Sequence, residues 1–368
     1  MPDALPPNLY VHFPFCRRKC TYCVLTSRAG VPPAERDAYV RRLWDAVSAL
    51  RPKATAPFAT IYFGGGSPGL CDLRPLGEAL APLRDAATEF TVELNPLDVT
   101  REKLAELKAI GVNRISMGVQ SLDDDILRHM GRGYAFADAE RAFYLVREYF
   151  DNAGIDLIFG YPGETAALTP RHARLAKWGL HHCSVYSLIL EEGSLLAHQL
   201  NTPTPIHPPK HPNTLSLPDD DTVLNRISVV SRFLQDLGLS RYEISNYAVP
   251  GYECRHNLAT WRGEDYLGLG NGASGRLGRT RTRNYWGQTP DYWGQTPEIE
   301  TLSAEKDAVE RKIFALRTKY GLDTSGRPDW GQTLDIFVGK GLLTKEGTVY
   351  RLTERGTEVC DAILAELV

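Results

Sequence analysis

The segment YVHFPFCRRKCTYC sets Cys16, Cys20 and Cys23 at the spacing C-x3-C-x2-C. Cluster iron prefers thiolate sulfur, and a loop that offers three thiolates leaves one iron of a cubane without a protein ligand. An open metal position is where exogenous chemistry happens. Zinc sites instead bring cysteines in C-x2-C pairs and close with a fourth protein ligand nearby, which this stretch lacks. Cys71, Cys183, Cys254 and Cys360 are scattered and read as small apolar core residues. A second stretch with chemical content is YFGGGSPG, where Gly64, Gly65 and Gly66 let backbone groups approach a ligand without side-chain obstruction.

These loops need a frame. Six short runs rich in β-branched and aromatic residues fall at 9–13, 60–63, 90–94, 114–119, 155–159 and 184–189. Apolar residues at three-to-four spacing between them predict helices over 35–50, 73–87, 100–110, 136–149 and 168–178, the third opened by a Thr100 cap. Alternating strands and helices give parallel βαβ units, which right-handed crossovers wind into a barrel or an open sheet. The cysteine loop follows the first strand and the glycine run follows the second, so both belong at the carboxyl ends of strands, where such folds build their sites.

Beyond residue 200 the pattern changes. TPTPIHPPKHP carries too many prolines for regular structure and predicts a surface loop, followed by a helix over 222–237. YWGQTPD is repeated at once as YWGQTPE, a loop expansion rather than a repeat with its own core. From Ser303 a helical pattern runs through Tyr320, and then helix, strand, turn, strand and helix suggest a small winged-helix-like appendage. It is not notably basic, so no nucleic-acid role is expected.

Lys and Arg total 42 against 45 Asp and Glu, a net charge of -3 with no long run of one sign. Bulk charge therefore points to neither nucleic acid nor a membrane surface. No window approaches the roughly 20 apolar residues of a membrane span, and the start lacks a secretory signal, so a cytoplasmic protein is expected. Seven cysteines in 368 residues are too few for a disulfide framework.

With an aromatic, Tyr22, before the last cysteine, the triad resembles the radical S-adenosylmethionine (SAM) superfamily. IDLIFGYPGET, YSLILEEG, YEISNYAVPGYECRHNLATW and YLGLGNGA carry the resemblance further, to the oxygen-independent coproporphyrinogen III oxidase family and its HemW-like heme chaperone branch, over roughly residues 8 to 360. The resemblance implies an α/β fold: a partial (β/α)6 radical SAM barrel in residues 1–200, a loop and extension in 201–300, and the winged-helix-like α+β appendage in 301–368. It implies a 4Fe-4S cluster on Cys16, Cys20 and Cys23. It also implies SAM contacts from Tyr10, Tyr22, Gly65, Gly66, Ser67, Glu93, Gln120, Arg132 and Asp156. Acceptors such as Glu93, Gln120 and Asp156 suit ribose hydroxyls and the adenine edge, and Arg132 suits a carboxylate.

The branch associates heme with an H-N-x-x-Y-W motif, here HNLATW, which makes His256 the expected iron ligand and Trp261 the ring that stacks on the porphyrin. The oxidase pattern has a fourth cysteine where this chain has Leu25, so heme binding and transfer is the expected function. The alternative is a coproporphyrinogen oxidase or another radical SAM enzyme, of methyl-transferring or tailoring type. Implied partners are heme or porphyrin, a heme acceptor protein and an electron donor. The chain departs from the branch at Val24 and Leu25 (Asp-Phe), Ser67 (Thr), Tyr134 (His), Thr260 (Tyr) and Ser274 (His), departures that bear on heme rather than on the cluster.

Overall fold

The computed structural model describes residues 5–164, 170–201, 216–284 and 297–367. The tandem YWGQTP copies, most of the proline-rich loop and the start of the helix expected from Leu168 lie outside them.

The first six strands of the main sheet are β1 (Asn8–Phe13), β2 (Thr60–Gly65), β3 (Glu89–Leu94), β4 (Arg114–Gln120), β5 (Asn152–Phe159) and β6 (His182–Ser187). They pair side by side and all in parallel. The crossover helices are α1 (Pro33–Ser48), α2 (Arg74–Leu80), α3 (Arg101–Ala109), α4 (Asp124–His129), α5 (Phe136–Tyr149) and α6 (Pro170–Leu175). The Thr100 hydroxyl caps α3 by accepting from the amide of Lys103. The helix expected over 73–87 is shorter: α2 stops at Leu80 and a 3-10 turn covers Ala81–Leu83, because Pro82 has no amide proton to continue an α-helix.

Parallel strands covered on both faces usually read as continuous apolar runs. Here they alternate. In register, Asn8, Thr60 and Glu89 lie level, then Tyr10, Tyr62, Thr91 and Arg114, then His12, Gly64, Glu93 and Ser116. This polar set shares one face and lines the inside of the curved sheet. The intervening Leu9, Val11, Phe13, Ile61, Phe63, Phe90, Val92, Ile115 and Met117 are buried under the helices in one apolar core. Burying that face at about 25 cal/mol per Å² of apolar surface drives the fold, and it leaves the lumen free to be hydrophilic.

The sheet does not stop at six strands. β7 (Ser240–Arg241) and β8 (Asn246–Ala248) extend it antiparallel beyond β6. On the other side β9 (Tyr266–Leu269) runs parallel to β1, followed antiparallel by β10 (Ser274–Leu277), β11 (Thr280–Arg283) and β12 (Glu298–Thr301). The result is an open twelve-stranded sheet. The remaining helices of this part are α7 (Leu195–Asn201), α8 (Asp220–Asp236) and α9 (Arg255–Trp261). Asp219 caps α8 two residues earlier than the sequence pattern suggested, because its carboxylate accepts from the amide of Thr222.

The C-terminal segment has its own core of Ile313, Leu316, Trp330, Leu334, Tyr350, Ile363 and neighbours. It contains α10 (Ala304–Ile313), α11 (Pro328–Gly339) and a three-stranded sheet of β13 (Leu322–Asp323), β14 (Leu343–Glu346) and β15 (Val349–Leu352), followed by two short helices. The helix expected through Tyr320 ends at Ile313. Gly321 turns at φ +77°, and a Cβ there would meet the Tyr350 carbonyl at 2.2 Å, so this crossing under β15 requires glycine.

Candidate functional site

The cysteine loop leaves the carboxyl end of β1 and is tied down by backbone bonds rather than by its thiols. Phe15–Cys16 pairs with Arg28–Ala29. The amide of Ser67 donates to the Phe15 carbonyl at 2.6 Å and that of Thr21 to the Met130 carbonyl at 3.1 Å. Leu196 donates to the Thr21 carbonyl at 2.7 Å, and the Thr21 hydroxyl meets Tyr161 Oη at 2.9 Å. Arg17 pairs with Asp98 at 2.5 Å. The three thiols stay free and half-buried, and burial pushes those of Cys16 and Cys23 above the usual thiol range.

They open onto a cavity of about 610 Å³. Eleven of the residues expected at the site line it: Cys16, Cys20, Cys23, Tyr22, Gly65, Gly66, Ser67, Glu93, Gln120, Arg132 and Asp156. Gly65 turns at φ +104° with the His12 ring 2.3 Å from where a Cβ would be, and a Cβ on Gly66 would strike the Phe15 carbonyl at 2.5 Å. Only glycine lets the loop after β2 lie this close to the cysteine loop. Gln120 is the sole non-glycine among the described residues with a left-handed φ, +70°, and sits where the β4–β5 register slips. Such an irregularity re-aims a side chain, and here it turns Gln120 into the cavity.

Two carboxylates face the interior. Glu93 accepts from Tyr62 Oη at 2.8 Å and from the amide of Gly65 at 3.1 Å. Burial first, and the nearby Asp156 second, push its carboxyl up to about 7. Asp156 is likewise raised by burial, although it accepts from Ser116 Oγ at 3.1 Å. Arg132 reaches the cysteine loop itself, with Nη1 donating to Cys20 Sγ at 3.3 Å. Free thiols, a glycine cradle, two enclosed carboxyls and a guanidinium around one cavity match the donor set of a three-thiolate cluster with an amino-acid nucleoside beside it. Among the described residues no three His, Cys, Asp or Glu side chains converge on a single-ion site; a cubane places each thiolate on a different iron.

Tyr10, His256 and Trp261 lie elsewhere. Tyr10 is deeper in the lumen, its hydroxyl 2.9 Å from His12 Nδ1. His256 is at the opposite, amino-terminal end of the strands, 7 % exposed. Its Nδ1 is 2.7 Å from Thr60 Oγ1, whose proton goes to Asn8 Oδ1 at 2.8 Å, so the imidazole donates. The rings of Tyr62, Tyr10 and Tyr266 surround it at 5.1 to 6.4 Å. The amides of Arg255 and His256 and the Cys254 thiol all donate to the Glu89 carboxylate. Burial and the charge of Arg114 lower His256 to about 4, so it is neutral. Trp261 is turned about 140° away on the same helix, with Phe314 6.0 Å and Arg317 5.2 Å from its ring. The two side chains of HNLATW expected to hold heme therefore face different neighbours: His256 packs among the rings of Tyr10, Tyr62 and Tyr266, and Trp261 against Phe314 and Arg317.

The sequence reading missed the polar lumen of Asn8, His12, Thr60, Glu89, Thr91, Arg114 and His182. Its signal was available in the strict alternation of β1 to β4. It also missed the strand 266–269, whose YLGL is too short and glycine-broken to stand out.

Comparison with known proteins places these features. The radical SAM superfamily profile matches residues 10–176. The heme chaperone HemW of Bacillus subtilis is 32 % identical over 98 % of this chain and 100 % of its own length. HemW of Mycobacterium tuberculosis is 31 % identical over 99 % and 95 %. Coproporphyrinogen III oxidase (HemN) from Escherichia coli, described as a radical SAM enzyme, shares the fold with a TM-score of 0.80 at 22 % identity, covering 100 % of this chain and 91 % of its own. Superfamily membership implies a 4Fe-4S cluster and SAM, and among the described residues no helix is long and apolar enough to cross a membrane. With full-length identity above 30 % and the cysteine cavity in place, this chain belongs to the HemW family of radical SAM proteins.

Proposed function

We propose that the chain is a heme-binding and heme-transfer protein that holds a 4Fe-4S cluster on Cys16, Cys20 and Cys23 and SAM beside it, with the heme seated at the mouth of the cavity. The observation that carries the heme reading is the make-up of that mouth. Leu25, Leu97 and Tyr186 line it at 55 %, 40 % and 40 % exposure, beside the exposed Arg18 and Lys19. Arg18 Nη1 and Leu97 Cδ1 flank Gly133 at 3.8 and 3.9 Å from its would-be Cβ. Exposed apolar side chains around a concave opening mark a ligand site, and adjacent cations suit a ligand with a flat apolar face and carboxylates at its edge. Heme is such a ligand.

When bound, the cluster supplies an electron to the sulfonium of SAM. The chain's own residues hold the parts: Gly65 and Gly66 leave room for ligand atoms, Glu93, Gln120 and Asp156 offer acceptors, and Arg132 offers a donor. A one-electron donor and a protein that accepts heme complete the reading. A cytoplasmic location is supported by seven thiols that are all free.

The test is anaerobic cluster reconstitution followed by heme titration and a 5'-deoxyadenosine assay in parallel. Saturable heme absorbance that Leu25→Asp or Arg18→Glu weakens about tenfold, the scale of 1.4 kcal/mol, supports the proposal. Absence of saturable heme binding by cluster-loaded protein sinks it.

A further inference from the structure

Tyr134 stands where the family's chaperone branch has histidine, and the structure shows what it touches. Its hydroxyl accepts from Arg132 Nε at 2.9 Å and lies 2.8 and 2.9 Å from the carbonyls of Gly118 and Val119, to one of which it donates. Arg132 Nη2 donates to the same Gly118 carbonyl at 2.7 Å, and Nη1 donates to Cys20 Sγ at 3.3 Å. The guanidinium carbon lies 5.3 Å from the centre of the Tyr134 ring. A planar guanidinium held at Nε and Nη2 has no rotational freedom left, so Nη1 is fixed on the sulfur.

We propose that Tyr134 is a positioning residue that locks Arg132 onto the Cys20 sulfur, and that this charged hydrogen bond raises the reduction potential of the cluster. The inference rests on the cluster reading above. Reduction adds one electron, taken from a one-electron donor protein, to a cluster whose charge is shared with its thiolate sulfurs. A donor hydrogen bond and a positive charge at one sulfur stabilise the more negative, reduced form. The effect is strengthened because Tyr134 is buried and the guanidinium it holds is half-buried, where the local dielectric is below that of water. Arg132 thus has a task on the cluster side of the cavity in addition to any contact with a ligand carboxylate, for which its remaining N–H groups are free to serve.

The experiment is a potentiometric titration, followed by electron paramagnetic resonance without SAM, of the reconstituted full-length chain. Four proteins are compared: the natural chain, Tyr134→Phe, Arg132→Gln and the double variant. Iron and sulfide content is checked in each. The expected result is a more negative midpoint in Tyr134→Phe, a larger negative shift in Arg132→Gln, and no further shift when Tyr134→Phe is added to Arg132→Gln. That non-additivity is what a residue acting only through Arg132 must show. A purely structural role for Tyr134 lowers cluster content or melting temperature and leaves the midpoint in place, which overturns the proposal. So does full additivity in the double variant, or an unshifted Arg132→Gln. Failure of the natural chain to assemble a cluster overturns the underlying reading instead, so the two failures are distinguishable.

Discussion

The two ends of the barrel are built from the same strands and treat their polar groups in opposite ways. At the floor, Glu89 and Thr60 are closed by α9 and its cap residue Cys254, through two amides, a thiol and an imidazole, and Thr60 in turn donates to Asn8. At the mouth, the thiols of the cysteine loop and the carboxyls of Glu93 and Asp156 face a cavity of about 610 Å³. The floor's polar groups are closed off by protein, whereas the thiols and carboxyls of the mouth, though partly bonded within the chain, keep a side open to the cavity. A polar motif is therefore informative about ligands only when its end of the barrel is known.

The most severe way to break this contrast is at the cysteine loop. Cys20→Ser should remove nearly all iron from the reconstituted protein while leaving the melting temperature of the metal-free chain almost unmoved, because the loop is held by backbone bonds to Phe15, Thr21 and Ser67. Iron analysis and calorimetry on the same sample check both halves.

The floor should answer in the other currency. Glu89→Ala leaves three donors without their acceptor and removes a carboxylate near the buried Arg114, and should cost about 4 kcal/mol in denaturant unfolding. Protein that remains folded should still take up a full cluster.

Acid and alkali should separate the two ends as well. The floor depends on a neutral His256, lowered from 6.5 to about 4; the stability it contributes is present above pH 6.5 and is lost as pH falls toward 4. At the mouth Glu93 is raised from 4.5 to about 7; its contribution is present below pH 4.5 and is lost as pH rises through 7. His256→Gln should flatten the acid-side loss and Glu93→Gln the loss toward neutrality, each by at most about 3 kcal/mol, measured as unfolding free energy against pH. Swapped slopes would show that the electrostatic picture of the two ends is reversed.

How much of this was legible in the sequence follows the same division. The mouth was readable because its residues sit at strand ends in loops of distinctive type: C-x3-C-x2-C, GGGS and the strand-end Glu93, Gln120 and Asp156 reached one cavity as expected. Their strand and helix frame was readable too, since β1 to β6, α1 to α3 and α5 follow simple apolar periodicity, whereas the six-residue α4 is too short to show one. The floor was not. HNLATW looks like a ligand motif in one dimension, and only the register of β1, β2 and β3 shows that His256 lands on Thr60 and Asn8. Nor could periodicity reveal that Trp261 is set against Phe314, fifty residues on, because that contact depends on where the C-terminal segment docks.

Heme titration of cluster-loaded Leu25→Asp beside His256→Gln is the measurement that tests the contrast most directly. The expected result is a roughly tenfold loss of affinity, about 1.4 kcal/mol, at the mouth variant, and unchanged affinity at the floor variant together with lower stability. Loss of heme binding in a folded His256→Gln protein, with Leu25→Asp unaffected, would contradict it.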